Sequence, residues 1–284
     1  MTDENSLVSV VVPVGSVDGF LPLQLDTLVG QTYTGRWELV LSLNSADPGE
    51  RARLEDLLGE RPSLPSRIVD SSALRSASHA RNVGAREAEG DLLLFCDGDD
   101  LADPDWMVAL VAAMDGVAAV GGHLEEEKLA IEGQEDWRPP ATPGALPTFL
   151  GSPFLVTANM AVERTAFEKV GGFDTTLIRG EDIAFSWGLL DLGLELAYAA
   201  DAVIHYRHRR GMVPMMRQHY LYGKGFSQIL ARRGVPHGEG ASVGLKALKP
   251  NGQAVTRKGV PYFARRGSIA AGRLVGLLEE RARR

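Results

Sequence analysis

The chain has 284 residues, 44% hydrophobic and 24% charged, which is material for one large packed domain or two modest ones. A single cysteine, Cys96, excludes a disulfide framework and a thiolate metal site, and no apolar run reaches membrane-spanning length. The net charge of −7 hides a division: Asp201 to Arg284 carries 17 basic against 4 acidic side chains, a net +13, which leaves −20 on the first 200 residues. Such a basic tail suits an anionic surface such as phospholipid headgroups, or an acidic body of its own. The acidic start "MTDENS" precedes only a short apolar run, so no secretory leader is expected. A reducing, cytoplasmic setting is expected instead.

In chain order, "LVSVVVPVG" (Leu7–Gly15) reads as a buried strand and "FLPLQLDTLVGQ" as a helix. "WELVLSLN" is a second strand, followed by the helix "PGERARLEDLLGE" with Pro48 near its start. "SRIVDSS" is a third strand, and "SASHARNVGAREAEG" a helix stopped at Gly90. "DLLLFCDG" is the fourth strand, "DPDWMVALVAAM" a helix and "GVAAVGGHLEE" a fifth strand. Alternating strand and helix units predict a mostly parallel sheet with helices on both faces, with ligands beyond the carboxyl ends of its strands.

After Glu126 the stretch "KLAIEGQEDWRPPATPGALP" is rich in Pro, Gly and charge and reads as a loop over the site or a lid. Order resumes with "FLVTANMAVERTAFEKVGGFD", a strand and short helix, then the helix "GEDIAFSWGLLDLG" and the strand "LELAYAADAVIHYRHR". "VPMMRQHYLYGKGFSQILARRG" is a long amphipathic helix, "KALKPNGQAVTRKG" a linker and "YFARRGSIAAGRLVGLLEERARR" a basic amphipathic helix. Three parts are expected: a nucleotide-sugar-binding α/β half over 1–126, an acceptor and catalytic-base half over 127–210, and a basic helical extension over 211–284.

The chemistry concentrates in "GDLLLFCDGDD", Gly90 to Asp100, where five apolar residues run into three carboxylates. Adjacent acids repel, and a divalent cation turns that repulsion into shared attraction. Asp97 and Asp99 are two apart and share a face of an extended segment. A bare D-x-D also arises as an acidic turn, and the closing Glu of an EF-hand loop is missing.

Four blocks in one order, "SASHARNVGAREAEGDLLLFCDGDD", "NMAVERTAFEKVGGFD", "RGEDIAFSWGLLDLG" and "DAVIHYRHR", resemble the family 2 glycosyltransferases, inverting sugar-nucleotide-dependent enzymes of the GT-A fold. The resemblance covers Leu7 to Gly234. It implies a GT-A-like, Rossmann-type α/β fold with a C-terminal helical extension, and transfer of a sugar from a nucleoside diphosphate to an acceptor hydroxyl. It implies Mn²⁺ or Mg²⁺ on Asp97 and Asp99, with Asp99 the stronger ligand and Asp97 also toward the ribose or donor sugar. Asp182 takes the place of the catalytic base, with Glu181 beside it, and His205 that of a further metal ligand.

Arg81 matches a basic position near the nucleotide and is also placed to pair with Asp97. Pro13 and Val14 stand where the first strand meets the nucleotide, and Asn44 where the second strand does. Two departures bear on the base. The usual Pro-x-Tyr-Asn stretch is here "PVGS", and the usual acidic pair after the second strand is "SLNSAD". A UDP-sugar donor is expected first, with a saccharide or lipid-linked acceptor and no nucleic acid. Leu274, Leu277 and Leu278 among Arg265, Arg266, Arg273 and Arg281 suit peripheral contact with the inner face of an anionic membrane; dimerisation is the competing use. Two other classes stand beside the transferase. A sugar-phosphate nucleotidyltransferase needs a basic Gly-rich loop after the first strand, and "PVGSVDGF" has no Lys or Arg. A non-catalytic nucleotide-sugar-binding protein on the same fold would keep the metal and lose turnover.

Overall fold

The computed structural model describes residues 6–17, 19–134, 137, 144–235 and 259–282. Much of the expected lid (135, 136 and 138–143) and most of the expected linker (246–258) therefore lie outside the described residues.

The strands and helices expected in the first half are present, with one two-residue strand, Leu101–Ala102, that the periodicity did not show. They run β1 (Val8–Val14), α1 (Leu21–Val29), β2 (Trp37–Leu43), α2 (Gly49–Gly59), β3 (Ser66–Asp70), α3 (Ala77–Glu87), β4 (Leu92–Cys96), β5 (Leu101–Ala102), α4 (Trp106–Ala113) and β6 (Ala119–Glu125). The small hairpin β7 (Thr148–Phe149) and β8 (Ser152–Pro153) follows, then β9 (Asn159–Glu163), α5 (Arg164–Val170), α6 (Glu181–Asp191) and β10 (Leu196–His205). The main sheet has the order β3-β2-β1-β4-β9-β6-β10-β5. Strands β3, β2, β1 and β4 run parallel, as do β6 and β10. Two strands oppose them. β9 lies antiparallel between β4 and β6, and the two-residue β5 pairs antiparallel with β10.

Strands β1 and β4 are buried on both faces, which is why they read as continuous apolar runs rather than alternations. Val10, Val12, Leu39, Leu41, Leu94 and Cys96 form one core with Leu21, Leu25, Leu54 and Trp106 from α1, α2 and α4. Val11, Val40, Leu93 and Phe95 form the other with Ala85, Phe167, Phe185 and Leu189 from α3, α5 and α6. Alternate residues thus feed opposite cores.

Two polar bridges tie the sequence blocks to one another. Arg164 donates to the carbonyls of Ala85 (3.0 Å), Ala88 (2.7 Å) and Gly90 (2.7 Å), closing the carboxyl end of α3 from the start of α5. Asn82 in α3 accepts from the Phe173 N–H at 2.8 Å and donates to the Phe173 carbonyl at 2.7 Å. Gly172 beside it has φ +74°, and a Cβ there would meet Asn82 Oδ1 at 2.8 Å. The "RNVG" and "GGFD" motifs are therefore held together by backbone geometry.

The chain forms two compact units. One gathers residues 1–128, 141–175 and 182–207, and the other 129–140, 176–181 and 208–284. The second contains α7 (Met212–Arg232) and α8 (Val260–Ala282). Here the burial of α8 departs from an ordinary amphipathic helix, because its buried residues are the small Ser268, Gly272 and Gly276. A Cβ on Gly272 would run into the Tyr220 carbonyl oxygen, and one on Gly276 would meet the Lys224 carbonyl oxygen at 2.9 Å. The helices pack backbone to backbone, with Ser227 Oγ donating to the Arg273 carbonyl (2.8 Å) and Lys224 paired to Glu279 (2.7 Å). The larger Phe263, Leu274 and Leu278 face outward.

Candidate active site

The carboxyl edge of the parallel sheet is built in register. Val14 pairs with Leu43 and Leu43 with Asp70, so the residues that follow β1, β2 and β3 emerge side by side. Asn44 is buried at this edge and spends its amide on the wall. Nδ2 donates to the carbonyls of Ser71 and Leu74, and Oδ1 accepts from the Ser76 N–H at 3.0 Å. Its own N–H donates to the Val14 carbonyl at 2.7 Å. Ser76 in turn caps α3, accepting from the His79 N–H. The β1–α1 loop is held from α2, where buried Glu50 accepts from the Val17 N–H at 2.6 Å. Pro13 is partly exposed and Val14 buried.

Asp97 to Asp100 form the turn between β4 and β5. One side of the turn is pinned by the sheet core. The other is pinned by the pairing of Leu101 with His205 and Ala102 with Ile204. Carboxylate atoms of Asp97, Asp99 and Asp100 lie within 4.8 Å of one another, the one such group of potential metal ligands among the described residues. Asp97 takes a 2.5 Å ion pair from Arg81 Nη2, and Arg81 is 4% exposed, so the expected pairing is made from inside the protein. Asp99 is exposed.

Asp100, 1% exposed, was expected only as a neighbour and is the buried member of the three. Burial, with Asp97 and Asp99 beside it, pushes its carboxyl up to about 9. Its Oδ1 accepts from the Arg207 N–H at 2.7 Å, while its Oδ2 is buried without a hydrogen-bond partner. An acid in that state is short of a cation, and the three-carboxylate turn fits a divalent ion. Arg207 also donates from Nε to the Asp99 carbonyl at 2.8 Å and lies over the Phe20 ring at 4.1 Å.

His205 is not in that carboxylate group. Its Nδ1 is 2.7 Å from Glu125 Oε2 and its Nε2 is 3.1 Å from Lys128 Nζ, with Asp103 Oδ2 at 3.9 Å from Nε2. None of Glu125, Lys128 and Asp103 was legible as a site residue, since the β6–β10 pairing that brings Glu125 opposite His205 is a property of the sheet. Buried Asn159 was also missed. It accepts from Trp106 Nε1 (2.9 Å) and donates to the carbonyls of His123 (2.9 Å) and Ala202 (2.8 Å), bridging the irregularity where β10 shifts register on β6.

Asp182 lies at the start of α6, directly after buried Glu181. Its Oδ1 faces the Ile183 N–H at 2.8 Å and its carbonyl accepts from Ser186 Oγ at 2.7 Å, while Ser186 Oγ accepts from the Leu155 N–H at 2.9 Å. A carboxylate at a helix amino end is favoured in its ionised form. Trp187 is buried and stacks on Phe149 at 5.7 Å.

Residues 9–171 match the profile of Glycosyl transferase family 2, more than half of the chain. The chain belongs to this family. As a family 2 glycosyltransferase it is 26% identical over 237 residues to the glycosyltransferase AglE of Haloferax volcanii, an alignment covering 81% of this chain and 76% of that protein. In fold it is similar to the mannosyltransferase PcManGT of Pyrobaculum calidifontis, solved with GDP-Man and Mn²⁺. The TM-score is 0.67 at 19% identity, over 96% of this chain and 87% of that one. It is also similar to S. aureus TarS 1-349 solved with UDP-GlcNAc, with a TM-score of 0.54 at 18% identity over 79% and 70% of the two chains. The mostly parallel sheet with its flanking helices has the GT-A fold, and C-terminal helices follow it. No described helix is long and apolar enough to cross a membrane.

Proposed function

We propose that this glycosyltransferase is metal-dependent and inverting, moving a sugar from a nucleoside diphosphate to an acceptor hydroxyl. The observation that carries the metal reading is the turn Asp97–Asp100, three carboxylates within 4.8 Å with one buried oxygen unpartnered. Asp99 and Asp100 would hold Mn²⁺ or Mg²⁺, and Asp97, clamped by Arg81, would hold the ribose or donor sugar. The bound ion supplies positive charge to the diphosphate as it leaves. Pro13, Val14 and Asn44 form the wall against which the nucleotide lies. Asn44 acts through the backbone it binds, because its amide is already engaged.

Asp182 is the base of this reading. Its carboxylate takes the acceptor's proton as the acceptor oxygen attacks the sugar from the face opposite the leaving group, and Glu181 beside it orients the acceptor. UDP-sugars are the first donors to test and GDP-mannose the second, the two nucleotide classes seen bound in the structural relatives. Nucleoside diphosphate release should require Mn²⁺ or Mg²⁺, and should fall at least 100-fold in Asp99→Ala and in Asp182→Asn. Metal-independent release, or full release by Asp182→Asn, would overturn the assignment.

The acceptor is proposed to be lipid-linked, met at an anionic bilayer. The support is the face of α8 that carries Phe263, Leu274 and Leu278, 44–60% exposed, in a segment of net positive charge. Sedimentation with phosphatidylglycerol vesicles should be lost in Leu274→Glu. Binding unchanged by that substitution would remove the bilayer from the reading.

A further inference from the structure

The surroundings of His205 determine its tautomer. A lysine ammonium carries only donors, so the 3.1 Å contact from Lys128 Nζ requires a lone pair on His205 Nε2. The proton of the neutral ring is then on Nδ1, where Glu125 Oε2 accepts it at 2.7 Å. The same Glu125 carboxylate accepts the N–H of Glu127 at 2.5 Å and of Lys128 at 3.1 Å. These bonds turn the chain after β6 and bring Lys128 Nζ to Nε2 of the ring. One carboxylate therefore fixes both the direction of the imidazole lone pair and the cation that fills it. His205 is 8% exposed and its backbone pairs with Leu101, one residue after Asp100, while Asp103 Oδ2 lies 3.9 Å from Nε2.

We propose that Lys128 is a tethered cation occupying the nitrogen through which His205 would bind a divalent ion, and that Glu125 is the positioning residue that sets both. The inference rests on the metal reading of the aspartate turn. An imidazole nitrogen accepts one partner along its lone pair, so Lys128 and a metal ion exclude one another at Nε2. Glu125, by holding Nδ1–H, keeps Nε2 the accepting nitrogen whichever cation is there. Ion uptake by His205 therefore requires Lys128 to leave.

The test is Mn²⁺ affinity without nucleotide, read from the electron paramagnetic resonance signal of free Mn²⁺. It is made on the full chain and on Lys128→Met, His205→Ala, the double variant and Glu125→Gln. Lys128 is exposed, so its replacement is not expected to impair folding. Lys128→Met should tighten Mn²⁺ about three- to tenfold, and the gain should vanish in the His205→Ala background. Glu125→Gln should weaken Mn²⁺ in the Lys128→Met background by a similar factor. Unchanged affinity in Lys128→Met overturns the proposal. So does an equal gain with His205 removed, which would mark simple loss of a nearby positive charge. Mn²⁺ binding as tight in Asp99→Ala as in the parent is a different result, and it removes the metal reading itself.

Discussion

At the scale of single residues, Asp100 has the clearest physical consequence. In the folded chain its proton is held up to about 9, and in an unfolded chain near 4. Between those values the folded state holds a proton that the unfolded state releases, so without metal this group lowers stability as pH rises through that window. Asp100→Asn should therefore melt higher than the parent at pH 7 in chelator, by on the order of 4 kcal/mol, and the difference should shrink toward pH 4. If the turn holds a divalent ion as proposed, Mn²⁺ should stabilise the parent and not this variant. Thermal melts across pH, with and without Mn²⁺, check both points, and a variant less stable than the parent at pH 7 would contradict the first. The acidic cluster itself was plain in "CDGDD". Which of its acids is buried and short of a partner was not, because that depends on β5 folding back to β10 and bringing Arg207 over the turn.

At the scale of elements, the polar bridges argue that the motif blocks are structural units as much as chemical ones. Arg164 satisfies three carbonyls at the end of α3 with one guanidinium fork. Arg164→Ala should cost roughly 2–4 kcal/mol in chemical denaturation, and Arg164→Lys should recover little, since a single ammonium cannot span the three acceptors. Recovery of most of the stability by lysine would show that charge alone matters there. The α7–α8 pair makes the opposite kind of demand. Its close approach requires the absence of side chains, so Gly272→Val should loosen the pair and raise its susceptibility to limited proteolysis. The periodicity of α8 was legible as amphipathic, but not which residues α7 would cover. The structure buries glycine and serine and leaves Leu274 and Leu278 out, because α7 comes too close to admit them.

At the scale of the whole molecule, two apolar cores on the two faces of one sheet account for the strand-and-helix rhythm of the first half. That rhythm, the acids after the fourth strand and the order of the four motif blocks were determined by the sequence itself. They follow from local rules: the period of a buried strand, the caps of helices and the clustering of charge. The tertiary structure alone decided that β9 enters antiparallel between β4 and β6, since strand direction depends on the path of the chain between elements rather than on the strand's own residues. It alone decided that Asn44 is consumed by the wall. It also decided that His205 faces Glu125 and Lys128 while Asp100 is left with an unpartnered oxygen. Each of these is a contact between residues distant in the chain, set by strand register, and a one-residue change of pairing would aim every such side chain at the opposite face.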